Sequence, residues 1–167
     1  MRAGIALGSN MGDRLANLRA AWGAVAGLPG VKPPLRFSRV YETEPVGPGA
    51  GGEAFLNAVG EVEYEQHPMA LLDALQGIEA RMGRPSKRPR NAPRPIDLDI
   101  LYAGNLALAN EEVVIPHPRL HLRRFVLAPL AEIRPELVLP GHEKSVAELL
   151  AQVEDSGAVK IFEGGLQ

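Results

Sequence analysis

Hydrophobic and polar positions change period several times along the chain, and each change marks an element. Gly4-Ile5-Ala6-Leu7 is a short apolar run closed by Gly8-Ser9-Asn10, the pattern of a buried strand ending in a turn. Asp13 can cap a helix whose apolar residues Leu15, Leu18, Trp22 and Val25 recur at helical spacing, with Gly27 and Gly30 at its end. Two extended segments follow, about 35–43 and 55–64, separated by the Pro- and Gly-rich loop 45–52. In the second, Val59, Glu61, Glu63 and Glu65 alternate with Val62 and Tyr64, which predicts one solvated face near its end. Pro68 suits the first turn of a second helix, with Leu71, Leu72, Leu75, Ile78 and Met82 on one stripe and Gly83 behind it. Ile96–Tyr102 reads as a strand.

The order β-α-β-β-α-β is that of the ferredoxin-like split βαβ unit, an α+β class. Beyond it the pattern predicts a hairpin around Gly104-Asn105, helical segments near 119–133 and 145–153, and a last strand near 158–162. The 167 residues fit a single domain over 1–167, long enough to bury roughly 70% of the unfolded surface without a staple.

Composition narrows the chemistry. There are no cysteines, so disulfides, thiolate zinc sites and cysteine nucleophiles are excluded for this chain. A net charge of −2 provides no global field for nucleic acid or an acidic membrane. No window approaches the ~20 apolar residues of a membrane span, and the start lacks the apolar stretch of a signal peptide. A soluble, untargeted, cytoplasmic monomer is expected, with small-molecule partners and neither nucleic acid nor membrane.

The informative stretch is Arg84 to Leu101. Ile96, Leu98 and Ile100 alternate with Asp97 and Asp99, so on a strand the apolar side chains face a core and both carboxylates face the other way. Aspartate is depleted in strands and like charges on one face repel, so the pair invites a counter-cation. Arg84, Lys87, Arg88, Arg90 and Arg94 precede it with no acid among them. An Asp-x-Asp alone reads as a solvated face, and a basic loop alone as an exposed or RNA-contacting segment. Adjacent and opposite in sign, they suit a metal-bound polyphosphate. Mg²⁺ takes one or two carboxylates and fills its shell with phosphate oxygens and water, and two metals can clamp an in-line displacement. No Walker A pattern is present, so ATP would not be held by a P-loop.

Further on, His117, Arg119, His121, Arg123, Arg124 and Phe125 cluster in sequence. Phosphate contact by His117 and Arg123 is the favoured reading over a histidine metal site. Phe125 begins an apolar run and by pattern alone reads as core. Glu79 borders the apolar stripe of its helix, where a salt bridge to a loop arginine and direct ligand contact stand as equal readings.

Arg90-Asn-Ala-Pro-Arg94-Pro-Ile-Asp97-Leu-Asp99-Ile-Leu resembles the signature of the 6-hydroxymethyl-7,8-dihydropterin pyrophosphokinase family. So do Ala6–Asn10, Tyr41–Pro45, Phe55–Ala58, Ile78-Glu79, Pro116–Arg119 and Arg123–Leu130, which fall in the family's order over most of the first 140 residues. The resemblance implies a ferredoxin-like core elaborated into a three-layer αβα sandwich. It implies transfer of the β,γ-diphosphate of ATP, the co-substrate, to the hydroxymethyl group of the pterin, with release of AMP. By position, Asp97 and Asp99 resemble the carboxylates that hold two Mg²⁺ ions, and Arg84 and Arg94 the arginines that stabilise the moving phosphates. Gln76, Glu79, Ile100, His117 and Arg123 match positions around ATP. Thr43, Val46, Phe55, Asn57 and Phe125 match the pterin pocket, with Asn57 bonding the pterin edge and Phe125 stacking on its ring.

Departures from the family's bacterial pattern are Asn91 for a tryptophan, Phe55 for a tyrosine, Pro118 for a tyrosine and Glu112 where arginine can stand. Two rival readings remain at this stage. A non-catalytic ferredoxin-like module binding a small regulator explains the element order but not the Asp pair beside five cations. An RNA-binding domain explains the basic loop but not the net charge.

Overall fold

The computed structural model describes residues 1–43, 54–83, 94–155 and 157–166. Strand β1 (Arg2–Ser9), helix α1 (Arg14–Ala26), strands β2 (Val31–Phe37), β3 (Tyr41–Thr43) and β4 (Phe55–Tyr64), helix α2 (Pro68–Arg81) and strand β5 (Asp97–Ala103) follow in chain order. The first of the two predicted middle segments is thus two strands. Helix starts are locally encoded. The Asp13 carboxylate accepts the Ala16 N–H at 3.1 Å, and His67 Nδ1 accepts the Met69 N–H in front of Pro68.

The remainder comprises β6 (Leu108–Ala109), β7 (Val114–Ile115), a 3-10 turn (Leu120–Leu122), α3 (Arg124–Ile133), α4 (Val146–Gln152) and β8 (Val159–Ile161). Two expectations need correcting here. Gly104-Asn105 only turns the chain out of β5; the hairpin pairs β6 with β7 and closes at Asn110–Val113. Asn110 Oδ1 accepts the N–H groups of Glu112 and Val113, a side chain standing in for a backbone turn. The helical pattern near 119–133 is interrupted at Arg123, whose backbone is extended (φ −120°, ψ 106°).

All strand pairs are antiparallel, in the order β5-β1-β4-β3-β8, with β2 also pairing with β4. The ten residues of β4 have β1 along one side, while β2 and β3 share the other. Period-2 alternation then builds two cores. Ile5, Leu7, Val62, Leu98 and Ile100 pack against Leu18, Trp22 and Val25 of α1 and Leu71, Leu75 and Ile78 of α2. Val59 and Leu101 lie in a second cluster with Val126, Leu127 and Leu130 of α3 and Val146 of α4. Gly60 is required where Trp22 crosses β4, because a Cβ there would lie 2.2 Å from the indole Cζ3.

The predicted solvated face of β4 holds toward its end, where Glu63 is half-buried and Glu65 exposed, and fails at Glu61. Glu61 is fully buried, not exposed, because α3 and the segment after it cover that side of the sheet. Its carboxylate accepts from Arg2 (3.0 Å), Arg134 (2.8 Å) and the Tyr102 hydroxyl (2.5 Å). Desolvation is thereby met by two cations and a phenol drawn from three distant segments. Both neighbours in the pairing register, Gly4 and Arg36, come from different strands. Local alternation therefore carries no sign of the network. Glu61→Ala should lower the midpoint of urea unfolding by the equivalent of about 3 kcal/mol with an unchanged m-value, since it leaves two cations facing a cavity.

Candidate functional site

The site begins as one row across the sheet. Gly8 of β1 pairs with Asp97 of β5 on one side and Asn57 of β4 on the other; one step along, Ala6 pairs with Asp99 and Val59. Paired positions share a face. Because Ile96, Leu98 and Ile100 are buried against α1 and α2, Asp97 and Asp99 stand on the face that carries α3. Gly8 leaves the floor between them open. A Cβ there would sit 3.1 Å from Asn57 Oδ1 and 3.6 Å from the Phe55 ring.

Above this floor is a cavity of about 340 Å³, lined by Thr43, Phe55, Asn57, Arg94, Asp97, Asp99, His117, Arg123, Phe125 and Asp155 among others. Asn57 Nδ2 donates to Thr43 Oγ1 at 2.8 Å, a buried bond that leaves the amide oxygen over Gly8. Arg94 is placed by its backbone: its N–H donates to Asn10 Oδ1 at 2.8 Å, and its carbonyl accepts the Asn10 N–H at 3.2 Å. From there its guanidinium lies 5.3 Å over the Phe55 ring, with Nε 3.5 Å from the Asp97 carboxylate. Arg123 stands in the same relation to Phe125, at 5.6 Å. Each cation is thus held beside an aromatic face that also helps to line the cavity.

A second cavity, about 400 Å³, follows the outer edge of β5 between α2 and the β6–β7 hairpin. Leu72, Gln76 and Glu79 line it from α2, and residues 110–114 line it from the hairpin. The Leu98 N–H points off the sheet edge and donates to Glu79 Oε2 at 2.8 Å. The register jumps from Gly4–Tyr102 to Ile5–Ile100, which leaves Leu101 as a bulge. By alternation the backbone of Ile100 shares the outward edge with Leu98, while its side chain is buried in the core. Leu101 contributes its carbonyl to the His117 N–H at 2.9 Å.

The two cavities share three residues: Asp97, Asp99 and His117. Burial, reinforced by the Arg123 cation, pushes the His117 imidazole down to about 4, so it is neutral at pH 7. Its Nδ1 accepts the Arg119 N–H at 3.2 Å, which leaves the ring proton on Nε2. His117 is therefore a neutral donor at the junction.

The expected residues divide between the two spaces. Gln76, Glu79, Ile100 and His117 line the edge cavity together. Arg123, expected with them, lines the other cavity beside Thr43, Phe55, Asn57 and Phe125. Phe125 is a half-buried wall residue, not the core residue its pattern suggests. Arg84 and Val46 lie outside the described residues, as do Asn91, Lys87, Arg88 and Arg90. His121 does not join His117; its ring packs 5.2 Å from that of His142. Among the described residues no group of three or more His, Asp or Glu side chains is placed to hold a metal. No described helix is long and apolar enough to cross a membrane.

Residue-by-residue reading missed two groups as parts of the site. Asn10 was legible as the end of a turn and of a family block but not as the partner of Arg94, which lies 84 positions away. Asp155 had no local signal at all.

A family model for 7,8-dihydro-6-hydroxymethylpterin-pyrophosphokinase matches residues 4–135. The chain is 40% identical over 157 residues to the 2-amino-4-hydroxy-6-hydroxymethyldihydropteridine pyrophosphokinase of Haemophilus influenzae, covering 94% of this chain and 96% of that one. It is 43% identical over 129 residues to the Bacillus subtilis protein of the same name, covering 77% and 75%. It is 41% identical over 129 residues to the folate synthesis bifunctional protein of Arabidopsis thaliana, covering 77% of this chain and 26% of that one. Among solved structures, the Plasmodium falciparum HPPK-DHPS with pterin and p-hydroxybenzoate superposes with a TM-score of 0.68 at 15% identity. That match covers 90% of this chain but only 42% of the larger one, and shows a shared mixed α/β fold with an antiparallel sheet. With the family model spanning most of its length and near-full-length relatives at such identity, the chain belongs to the 7,8-dihydro-6-hydroxymethylpterin-pyrophosphokinase family.

Proposed function

We infer that the chain moves the β,γ-diphosphate of ATP onto the hydroxymethyl group of 6-hydroxymethyl-7,8-dihydropterin, releasing AMP, as a step in folate biosynthesis. The observation that carries this reading is the meeting of two cavities at Asp97, Asp99 and His117. The transfer needs two ligands end to end with their reacting atoms at one junction. The element order and antiparallel sheet support a ferredoxin-like core within a three-layer αβα arrangement. On this reading the chain works as a cytoplasmic monomer.

The edge cavity suits the nucleotide. A heterocycle slotted along β5 meets the outward backbone of Ile100 and the side chains of Leu72 and Gln76. Glu79, occupied by the Leu98 N–H, fixes the strand that carries both aspartates. The other cavity suits the pterin. Asn57 presents its amide to an aminopyrimidinone edge, while Phe55 and Phe125 offer flat faces. Arg94 and Arg123 present guanidinium forks to phosphate oxygens, and neutral His117 adds an Nε2–H donor without spending a proton.

Asp97 and Asp99 fit Mg²⁺, which needs few carboxylates when a polyphosphate supplies further oxygens. When bound there, the metal would offset phosphate charge and acidify the pterin hydroxyl. The hydroxyl oxygen attacks the β-phosphorus, the bond to the α-phosphate oxygen breaks, and AMP leaves. The hydroxyl proton passes to Asp97. Positioning and charge account for most of the acceleration in such transfers, so no stronger base is required.

Incubation with ATP, Mg²⁺ and the pterin alcohol should yield AMP and not ADP by ion-exchange chromatography; ADP would overturn the reading. Asp97→Asn and Asp99→Asn should each cut turnover by about a hundredfold or more while leaving the circular dichroism spectrum intact. Phe125→Ala should raise the pterin KM by about tenfold through loss of a stacking face, with the ATP KM little changed.

A further inference from the structure

The start of α3 carries Arg123 and Phe125 into the substrate cavity, yet its own N-terminus has no local cap. Arg123 is the N-cap residue and makes no side-chain capping bond. An uncapped first turn leaves N–H groups unsatisfied and the entry of the chain loosely defined. The missing acceptor arrives from 31 residues downstream: Asp155 Oδ2 accepts the Arg124 N–H at 3.2 Å. The Arg124 guanidinium reaches back to the Val153 carbonyl at 3.4 Å, so the two segments are tied twice.

Asp155 is itself held in place. Its Oδ1 accepts the Gly157 N–H at 2.8 Å, which orients the carboxylate toward α3. The segment that carries it runs between α4 and β8, and β8 pairs Val159 with Thr43 of β3. Thr43, Phe125 and Asp155 line the same cavity. The last strand and the turn before it therefore join two walls of the cavity, one on β3 and one on α3. Asp155 and β8 lie beyond residue 135, where the match to the family model stops.

We propose that Asp155 is a positioning residue for the pterin: a remote N-cap that sets the pose of Arg123 and Phe125 and makes the C-terminal segment part of the substrate site. The carboxylate at the positive end of α3 adds favourable charge to the bonds it accepts. The proposal rests on assigning this cavity to the pterin and the edge cavity to the nucleotide.

The test compares Asp155→Ala, Asp155→Asn and, as a control, Glu154→Ala, whose side chain is exposed on the same segment. Each is titrated with 6-hydroxymethylpterin in the presence of saturating non-hydrolysable ATP analogue and Mg²⁺, and separately with the analogue. Asp155→Ala should weaken pterin binding by about tenfold, on the scale of a lost cap, with analogue affinity held within about twofold. Asp155→Asn keeps one acceptor of two and should weaken pterin by about threefold, while Glu154→Ala should match the parent. Unchanged pterin affinity in folded Asp155→Ala overturns the proposal, as does an equal loss for both ligands alongside a lowered melting temperature. Should Asp155→Ala fail to fold, the selective loss in Asp155→Asn decides in the same way. A parent protein that binds the analogue but no pterin would sink the assignment of the cavity, a separate failure.

Discussion

Everything at the site depends on the two-residue period of β5 at the margin of the sheet. One face of that strand is committed to the core under α1 and α2 by Ile100 and Leu98. The other face must then carry Asp97 and Asp99 together, at a spacing the extended backbone sets at roughly 6.5–7 Å. Because β5 is the last strand of its sheet path, its outward backbone is available for other partners. Glu79 takes one of those groups. The same strand thus holds its carboxylates where the two cavities meet and turns its outer backbone toward the edge cavity.

Charge completes what the backbone starts. Asp97 is met by Arg94, whose backbone N–H donates to Asn10 Oδ1 and whose carbonyl accepts the Asn10 N–H. Burial keeps His117 neutral at the junction, where Nδ1 accepts the Arg119 N–H. At the opposite end of β1, Glu61 answers the same problem of a desolvated carboxylate with Arg2, Arg134 and Tyr102. That cluster lies away from the two cavities that the aspartates line and serves the frame.

The chain also shows how a site can draw on elements far apart in sequence. The floor comes from β1, the edge from β5, one wall from β3 and β4, and another from the start of α3. The closing contact at α3 comes from a turn near the C-terminus. Such a pocket is only as well defined as the least anchored of these pieces, which is why remote bonds such as Asp155 to Arg124 bear on ligand geometry.

Much of this was legible in the residues themselves. The helix starts at Asp13 and Pro68, the strand character of 96–102 and the shared face of Asp97 and Asp99 follow from local rules of capping and alternation. The motif blocks carried the family. Other features are settled only by packing. Whether Glu61 faces water depends on what covers β4, and whether Phe125 is core or wall depends on how α3 enters. Which cavity Arg123 serves and what caps α3 depend on residues many positions away. Local periodicity states which side chains share a face; only the folded sheet decides what that face meets, because its neighbours come from segments that no local pattern links.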